Sequence, residues 1–140
     1  MSASSVIRLG ANQVIQTSTF TEVIWGLIHY QDLIVWRASA PTRITIPVGY
    51  THALLTADVS WDTNTTNDRF HTFLKNGAAF DGGPAQFYAG SQQERTRCFM
   101  SSFVEVTAGD YFEVQVWQNS GTDREIVTGN TPNFAIELFD

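Results

Sequence analysis

Charge is what this chain has least of. Of its 140 residues, 16% are Asp, Glu, Lys or Arg, against roughly 25% in an ordinary soluble domain. There is one lysine, Lys75, and the other basic residues are scattered arginines. With a formal net charge of −6 and no cationic cluster, the chain lacks what holds a phosphate backbone, which argues against a nucleic-acid partner. So little charge suits a protein that hides part of its surface in an assembly. It suits equally a neutral exterior rich in Thr, Asn and Gln.

Cysteine is nearly absent too. Cys98 alone excludes an internal disulfide and any thiolate metal cluster within one chain. It lies in an alternating apolar run, which reads as a buried inert thiol rather than a nucleophile. No apolar stretch approaches the length of a membrane span, so membrane insertion is not expected. Met1-Ser-Ala-Ser-Ser-Val-Ile-Arg8 has no basic start followed by an apolar core, so the expectation is a soluble intracellular product or one released by lysis.

Catalytic signatures are missing as well. There is no Gly-x-Ser-x-Gly, no His-Glu-x-x-His and no phosphate-cradling glycine loop. His29, His52 and His71 stand far apart, without second ligands at metal spacing. Glu22, Glu105, Glu113 and Glu137 fall in predicted strands and read as satisfied or solvated carboxylates. A glycosidase couple would need two at a set separation. Asp62, Asn64, Asn67 and Asp68 offer oxygen atoms for calcium, but without the fixed loop spacing, and a polar turn explains them equally well. No catalytic residue, metal ligand or cofactor site is expected.

What the chain does have is alternation. Tyr50 to Trp61 places Ala53, Leu55, Ala57, Val59 and Trp61 on one face. Arg69–Lys75, Thr96–Val106, Tyr111–Gln118 and Asn133–Phe139 alternate likewise. Shorter runs lie at Thr21–Trp25, Leu33–Trp36 and Arg43–Pro47. Asn76-Gly77 is a hairpin signal, and Thr107-Ala-Gly-Asp110 between two alternating runs predicts a second antiparallel pair. Asn119–Asn130 reads as loop, and no segment carries a capped helical period. The expectation is one all-β domain over 12–140, a sandwich or a jelly roll. Residues 1–11, small and polar around Val6, Ile7 and Leu9, read as a mobile arm or as a strand that docks on a neighbour.

Several segments taken in order resemble a known family. They are Phe20-Thr-Glu-Val-Ile-Trp25, Pro41-Thr-Arg-Ile-Thr-Ile-Pro-Val-Gly-Tyr50, Ala57-Asp-Val-Ser-Trp61 and Phe73-Leu-Lys-Asn-Gly77. Val106-Thr-Ala-Gly-Asp-Tyr-Phe-Glu-Val-Gln-Val-Trp-Gln118 and Phe134-Ala-Ile-Glu-Leu138 complete the set. The succession resembles the tumour-necrosis-factor-like jelly roll, in the variant of the globular head of the first complement component. It is closest to the versions of that domain in tailed bacteriophages and bacteria. The resemblance implies ten strands in two sheets and a homotrimer. The inner sheet, made of the first strand, Tyr50–Ser60, Thr96–Val106 and the last strand, would meet the three-fold axis. If Val104 and Val106 face the core, then Phe99, Ser101, Phe103 and Glu105 face the neighbouring subunit. Leu54, Thr56, Ala135, Glu137 and Phe139 join them by the same alternation. The secretion signal and collagen stalk of the animal relatives are not seen, so complement-type and cytokine-type roles are not implied.

The functional expectation is a non-enzymatic bacteriophage virion protein, assembled in the host cytoplasm. It would be a trimeric decoration or cement protein on the capsid exterior, bound to the major capsid protein or another virion protein. Val6, Ile7 and Leu9 would anchor it through the arm. The alternative is recognition: a head spike, baseplate or tail-fibre tip that binds a host surface glycan through Trp61, Tyr88 and Trp117 on polar loops.

Overall fold

The computed structural model describes residues 2–63, 67–81, 97–129 and 132–140 in full, and residues 85–89 by the course of their backbone. The described residues form twelve strands and no helix. One five-stranded sheet runs in the order β4 (Leu27–Gln31), β1 (Ser2–Arg8), β12 (Asn133–Phe139), β6 (His52–Ser60) and β9 (Arg97–Glu105). The second runs β3 (Thr21–Glu22), β10 (Tyr111–Gln118), β7 (Asp68–Lys75) and β8 (Ala85–Ala89), with β5 (Ile44–Thr45) also paired to β10. A short ladder joins β2 (Gln13–Ile15) to β11 (Arg124–Ile126). The pairings are antiparallel throughout, as expected for this class.

Alternation decides which residues fill the space between the sheets. Ile7, Leu55, Met100, Phe134 and Ile136 enter from the first sheet, and Ile44, Phe73, Phe112, Val114 and Val116 from the second. Trp25 and Phe73 each pack against Phe134, with ring centroids 5.7 and 5.8 Å away. Cys98 is buried in this core, and burial pushes its thiol pKa up.

Four expectations are corrected. The first concerns residues 1–11, whose described part is no arm. β1 lies inside the first sheet, hydrogen-bonded to β12 on one side and β4 on the other. Ala3, Ser5, Ile7 and Leu9 point inward and are buried. Small Ala and Ser at the inward positions hide a strand behind a polar-looking sequence. Ile7 and Leu9 therefore belong to the core, each contributing roughly 1.5–3 kcal/mol by burial.

The second is the pair of strands flanking Thr107–Asp110, which are not a hairpin. β9 pairs with β6 and β10 with β7, in different sheets. The turn is a corner that carries the chain across the sandwich, so Val104 and Val106 face Phe112, Val114 and Val116 through the core. It is pinned by the 46–51 segment: Val106 N–H donates to Thr51 O at 2.8 Å and Gly109 N–H to Ile46 O at 2.9 Å. Period-two alternation reports which face is buried, not which strand lies alongside.

Third, Thr21–Glu22 belongs to the second sheet, so Ser2–Arg8 fills the place expected for the first strand. Fourth, Leu33–Trp36 is not a strand although Val35 and Trp36 are buried, whereas Leu27–Gln31 is one with mostly exposed side chains. The predicted loop 119–130 also contains β11. The Asn76-Gly77 signal is realised: both residues have positive φ, 54° and 82°, the pair of left-handed positions that a two-residue turn requires.

Where β1 ends and β4 begins, Gly10 and Gly26 allow two backbones to touch. A Cβ on Gly26 would sit 3.0 Å from the Gly10 Cα, and one on Gly10 3.1 Å from the Gly26 Cα. Gly26 N–H donates to Arg8 O at 3.0 Å across the same crossing.

Candidate functional site

β9 alternates without a break. Arg97, Phe99, Ser101, Phe103 and Glu105 point away from the core, while Cys98, Met100, Ser102 and Val104 are buried. Phe99 and Phe103 keep 59% and 63% of their surface exposed, unusual for Phe. The register carries this outward face across the sheet in rows. Phe103 lies opposite Leu54, Leu54 opposite Glu137, and Glu137 opposite Ser4. The adjacent row on one side is Ser101, Thr56, Ala135 and Val6; on the other it is Glu105, His52, Phe139 and Ser2.

All eight residues assigned to an interface from the sequence thus share one face: Leu54, Thr56, Phe99, Ser101, Phe103, Glu105, Glu137 and Phe139. Alternation in the sequence does not announce the part contributed by β1, namely Ser2, Ser4, Val6 and Arg8, because small residues give that strand the look of an arm. The available signal was Ala3, Ser5, Ile7 and Leu9 at a spacing of two. His52 joins the same face, its ring stacked on Phe103 with centroids 5.6 Å apart and planes at 13°. Phe139 adds a tilted contact to Phe103 at 6.0 Å.

The face has relief. An aromatic ridge stands on the edge strand β9. About two strand spacings away, roughly 10 Å, lies a depression of about 160 Å³ walled by Ser4, Val6, Leu54, Thr56, Ala135 and Glu137. Small side chains on β1 and β12 make the hollow, and large ones on β9 make the ridge. At the far end Arg97 forks onto the buried Asp58 carboxylate, its Nε donating to the two oxygens at 3.0 and 2.8 Å and its Nη2 to Oδ2.

The glycan candidates are not brought together. Trp61 is wholly buried, being the inward residue that continues β6. Its Nε1–H donates to His71 Nε2 at 2.7 Å, and the Arg69 guanidinium lies over its ring at 5.4 Å. Because Nε2 accepts, the proton of the neutral imidazole sits on Nδ1. Burial, with the Arg69 charge beside it, lowers the His71 pKa to about 3, so the ring stays neutral. Trp61 is a core residue and reaches no sugar. Trp117 lies instead on the outer side of the second sheet, where Phe20 stacks on it at 6.1 Å and meets Phe70 edge-on at 5.7 Å. The backbone of Tyr88 pairs with Arg69, and its side chain lies outside the described residues.

The oxygen-rich turn is internally engaged. Asp62 Oδ2 accepts from Glu125 N–H at 3.2 Å, Asn67 donates its side-chain amide to Asn119 O at 2.8 Å, and Asp68 N–H donates to Asn119 Oδ1 at 2.7 Å. Asn64 lies outside the described residues. Among the described residues no group of three or more His, Cys, Asp or Glu gathers as a metal site would require.

No family model matches this chain, and no curated protein matches it in sequence. Solved structures match its shape. A crystal structure of murine APRIL at pH 5.0 superposes with a TM-score of 0.72 at 9% identity, covering 99% of this chain and 100% of that one. The globular domain of the zebrafish complement 1qA protein gives 0.66 at 7% identity, covering 99% and 97%. Eiger TNF from S. frugiperda gives 0.64 at 10% identity, covering 100% and 92%. Two antiparallel sheets in this arrangement, over the full length of these structures, are the jelly roll of the tumour-necrosis-factor and complement-head type.

Proposed function

We propose that this chain works as a non-enzymatic homotrimeric head, with the outward face of the first sheet turned to the three-fold axis. The observation that carries this is the ridge and hollow on one face. Two large phenyl groups stand exposed on β9, and a pocket floored by small residues lies two strands away. Because the two features do not coincide, the ridge of one copy can enter the hollow of another, which serves a two-fold pair and a head-to-tail ring alike; the three-fold ring is the closure that the sequence resemblance implies. Burying each phenyl contributes roughly 1.5–3 kcal/mol, and a ring of three repeats the gain at every contact.

We further propose that the trimer is a bacteriophage decoration protein seated on the capsid exterior. Support comes from the sequence resemblance to the phage versions of this domain and from the low charge. β1 is built into the sheet and cannot serve as a free anchor. Attachment then falls to surfaces away from the axis, and three copies of a weak contact act together by avidity. The experiment is co-sedimentation of the purified protein with phage heads that lack it. Saturable binding to heads supports the decoration role. Adsorption to host cells, with none to heads, moves the reading to receptor recognition. That second reading rests on the cluster of exposed Phe20 with half-buried Phe70 and Trp117, whose rings suit sugar stacking.

A further inference from the structure

β5 and the segment leading to it enclose a depression of about 300 Å³ on a flank of the second sheet. Its floor is Val35 and Ile46, both buried, and its rim carries Ile34, Arg37, Arg43 and Thr45. Two of the chain's eight basic residues therefore line one hollow in a molecule of net charge −6.

The geometry also fixes one of the two cations. Arg43 lies with its guanidinium carbon 4.0 Å over the Tyr111 ring, a cation–π contact that orients the plane. Its Nε is 3.9 Å from Glu113 Oε2, too long for a hydrogen bond, and that same oxygen accepts from Thr42 Oγ1 at 2.5 Å. Glu113 thus softens the Arg43 charge without engaging its N–H groups. Neither Arg37 nor Arg43 has a side-chain hydrogen bond to any described residue. A planar fork held by stacking, with its donors unspent, is suited to a carboxylate taken side-on.

We propose that this hollow binds a carboxylate-bearing monosaccharide unit, an acidic sugar such as a uronic acid. Its carboxylate would sit between Arg37 and Arg43 and the C–H face of its ring against the exposed side chain of Ile34, above the buried Val35 and Ile46. The volume is at the lower end of small-ligand pockets, about 300–1,000 Å³. An extended acidic peptide fits less well, because the edge of β5 is already taken: Thr45 N–H donates to Val35 O at 2.8 Å. Strand addition has no free ladder there. The site lies within one chain and stands whether or not the protein trimerises or decorates a capsid.

The test is a titration followed by NMR, with arginine side-chain Nε–H and backbone amides observed. The probes are sodium D-glucuronate, D-glucose, sodium acetate, sodium sulfate and a hexa-aspartate peptide. Glucuronate should saturate shifts at Arg43 Nε–H and at the Thr45 and Ile46 amides with a millimolar Kd, while glucose moves none of them. Arg37→Gln, at an exposed turn position, should weaken binding at least tenfold with the remaining spectrum unchanged; Arg43→Gln should weaken it as much, with other shifts confined to its contacts Tyr111 and Glu113. Failure of glucuronate to saturate, or wild-type affinity in Arg37→Gln, would overturn the proposal. An equal response to acetate or sulfate would show a site that reads charge alone, and tighter binding of the peptide would assign it to an acidic protein partner; either result overturns the sugar.

Discussion

Phe103 and His52 stack on the outward face of the first sheet, ring centroids 5.6 Å apart and planes within 13° of parallel. They come from different strands, β9 and β6, and Phe139 of β12 closes on the same phenyl at 6.0 Å. Three strands thus converge on one aromatic patch that the protein's own core does not cover. The account of this chain as an assembly component grows from that patch.

Removing residues 2–8 should unfold the protein rather than detach it from a partner. β1 holds two ladders, and its loss strips β12 and β4 of a partner and empties the place of Ile7. The truncated chain should show no cooperative thermal transition by circular dichroism. A folded truncated chain would refute the integral role assigned to β1.

Gly26→Ala should destabilise by about 1–3 kcal/mol, because the new methyl would meet backbone, which cannot swing aside. Gly10→Ala should cost a similar amount, and the two should not add, since one displacement of the crossing relieves both. Urea unfolding of the two single variants and the double variant measures this. Unchanged midpoints would mean that the crossing is wider than 3 Å.

His71 should make stability depend on pH. Its pKa falls from an ordinary 6.5 to about 3 on folding, so the folded state binds fewer protons between those values. The neutral-ring contribution is fully present above pH 6.5 and is lost as pH falls from there towards 3. The slope is at most about 1.4 kcal/mol per pH unit. His71→Gln keeps an acceptor for the Trp61 N–H but cannot titrate, so its unfolding free energy should be flatter than wild type between pH 6.5 and 4.5. That window lies mostly above the range where carboxylates respond. Parallel slopes would count against a His71 that stays neutral when folded.

Much of this was legible in the sequence, and the failures have a common cause. The inward and outward sides of β6, β9 and β12 followed from alternation, because each has one face on a core and a period of two admits a single register of faces. Partnership was not legible. The runs on either side of Thr107–Asp110 looked like a hairpin because alternation is identical for strands that pair and strands that oppose each other across a core. β1 was hidden because Ala3 and Ser5 fill inward positions where bulky residues would advertise burial. Trp61 was read correctly as sharing the inward face of β6, which already argued against a sugar contact. The Arg37 and Arg43 hollow could not be read at all. The hydrogen bonds from Thr45 N–H to Val35 O and from the Trp36 indole to Pro41 O, with the burial of Val35 and Trp36, fold the 34–40 segment against β5 and bring those two side chains to one rim.

The most direct measurement is the molar mass of the purified protein by light scattering, beside that of Phe103→Asp. The account predicts about three times the 15.6 kDa chain mass for the wild type. The variant, with a charge placed on the ridge, should run as a folded monomer whose circular dichroism spectrum is unchanged. A wild-type mass of one chain, or a trimer that survives Phe103→Asp intact, would contradict the claim that this sheet face closes the assembly.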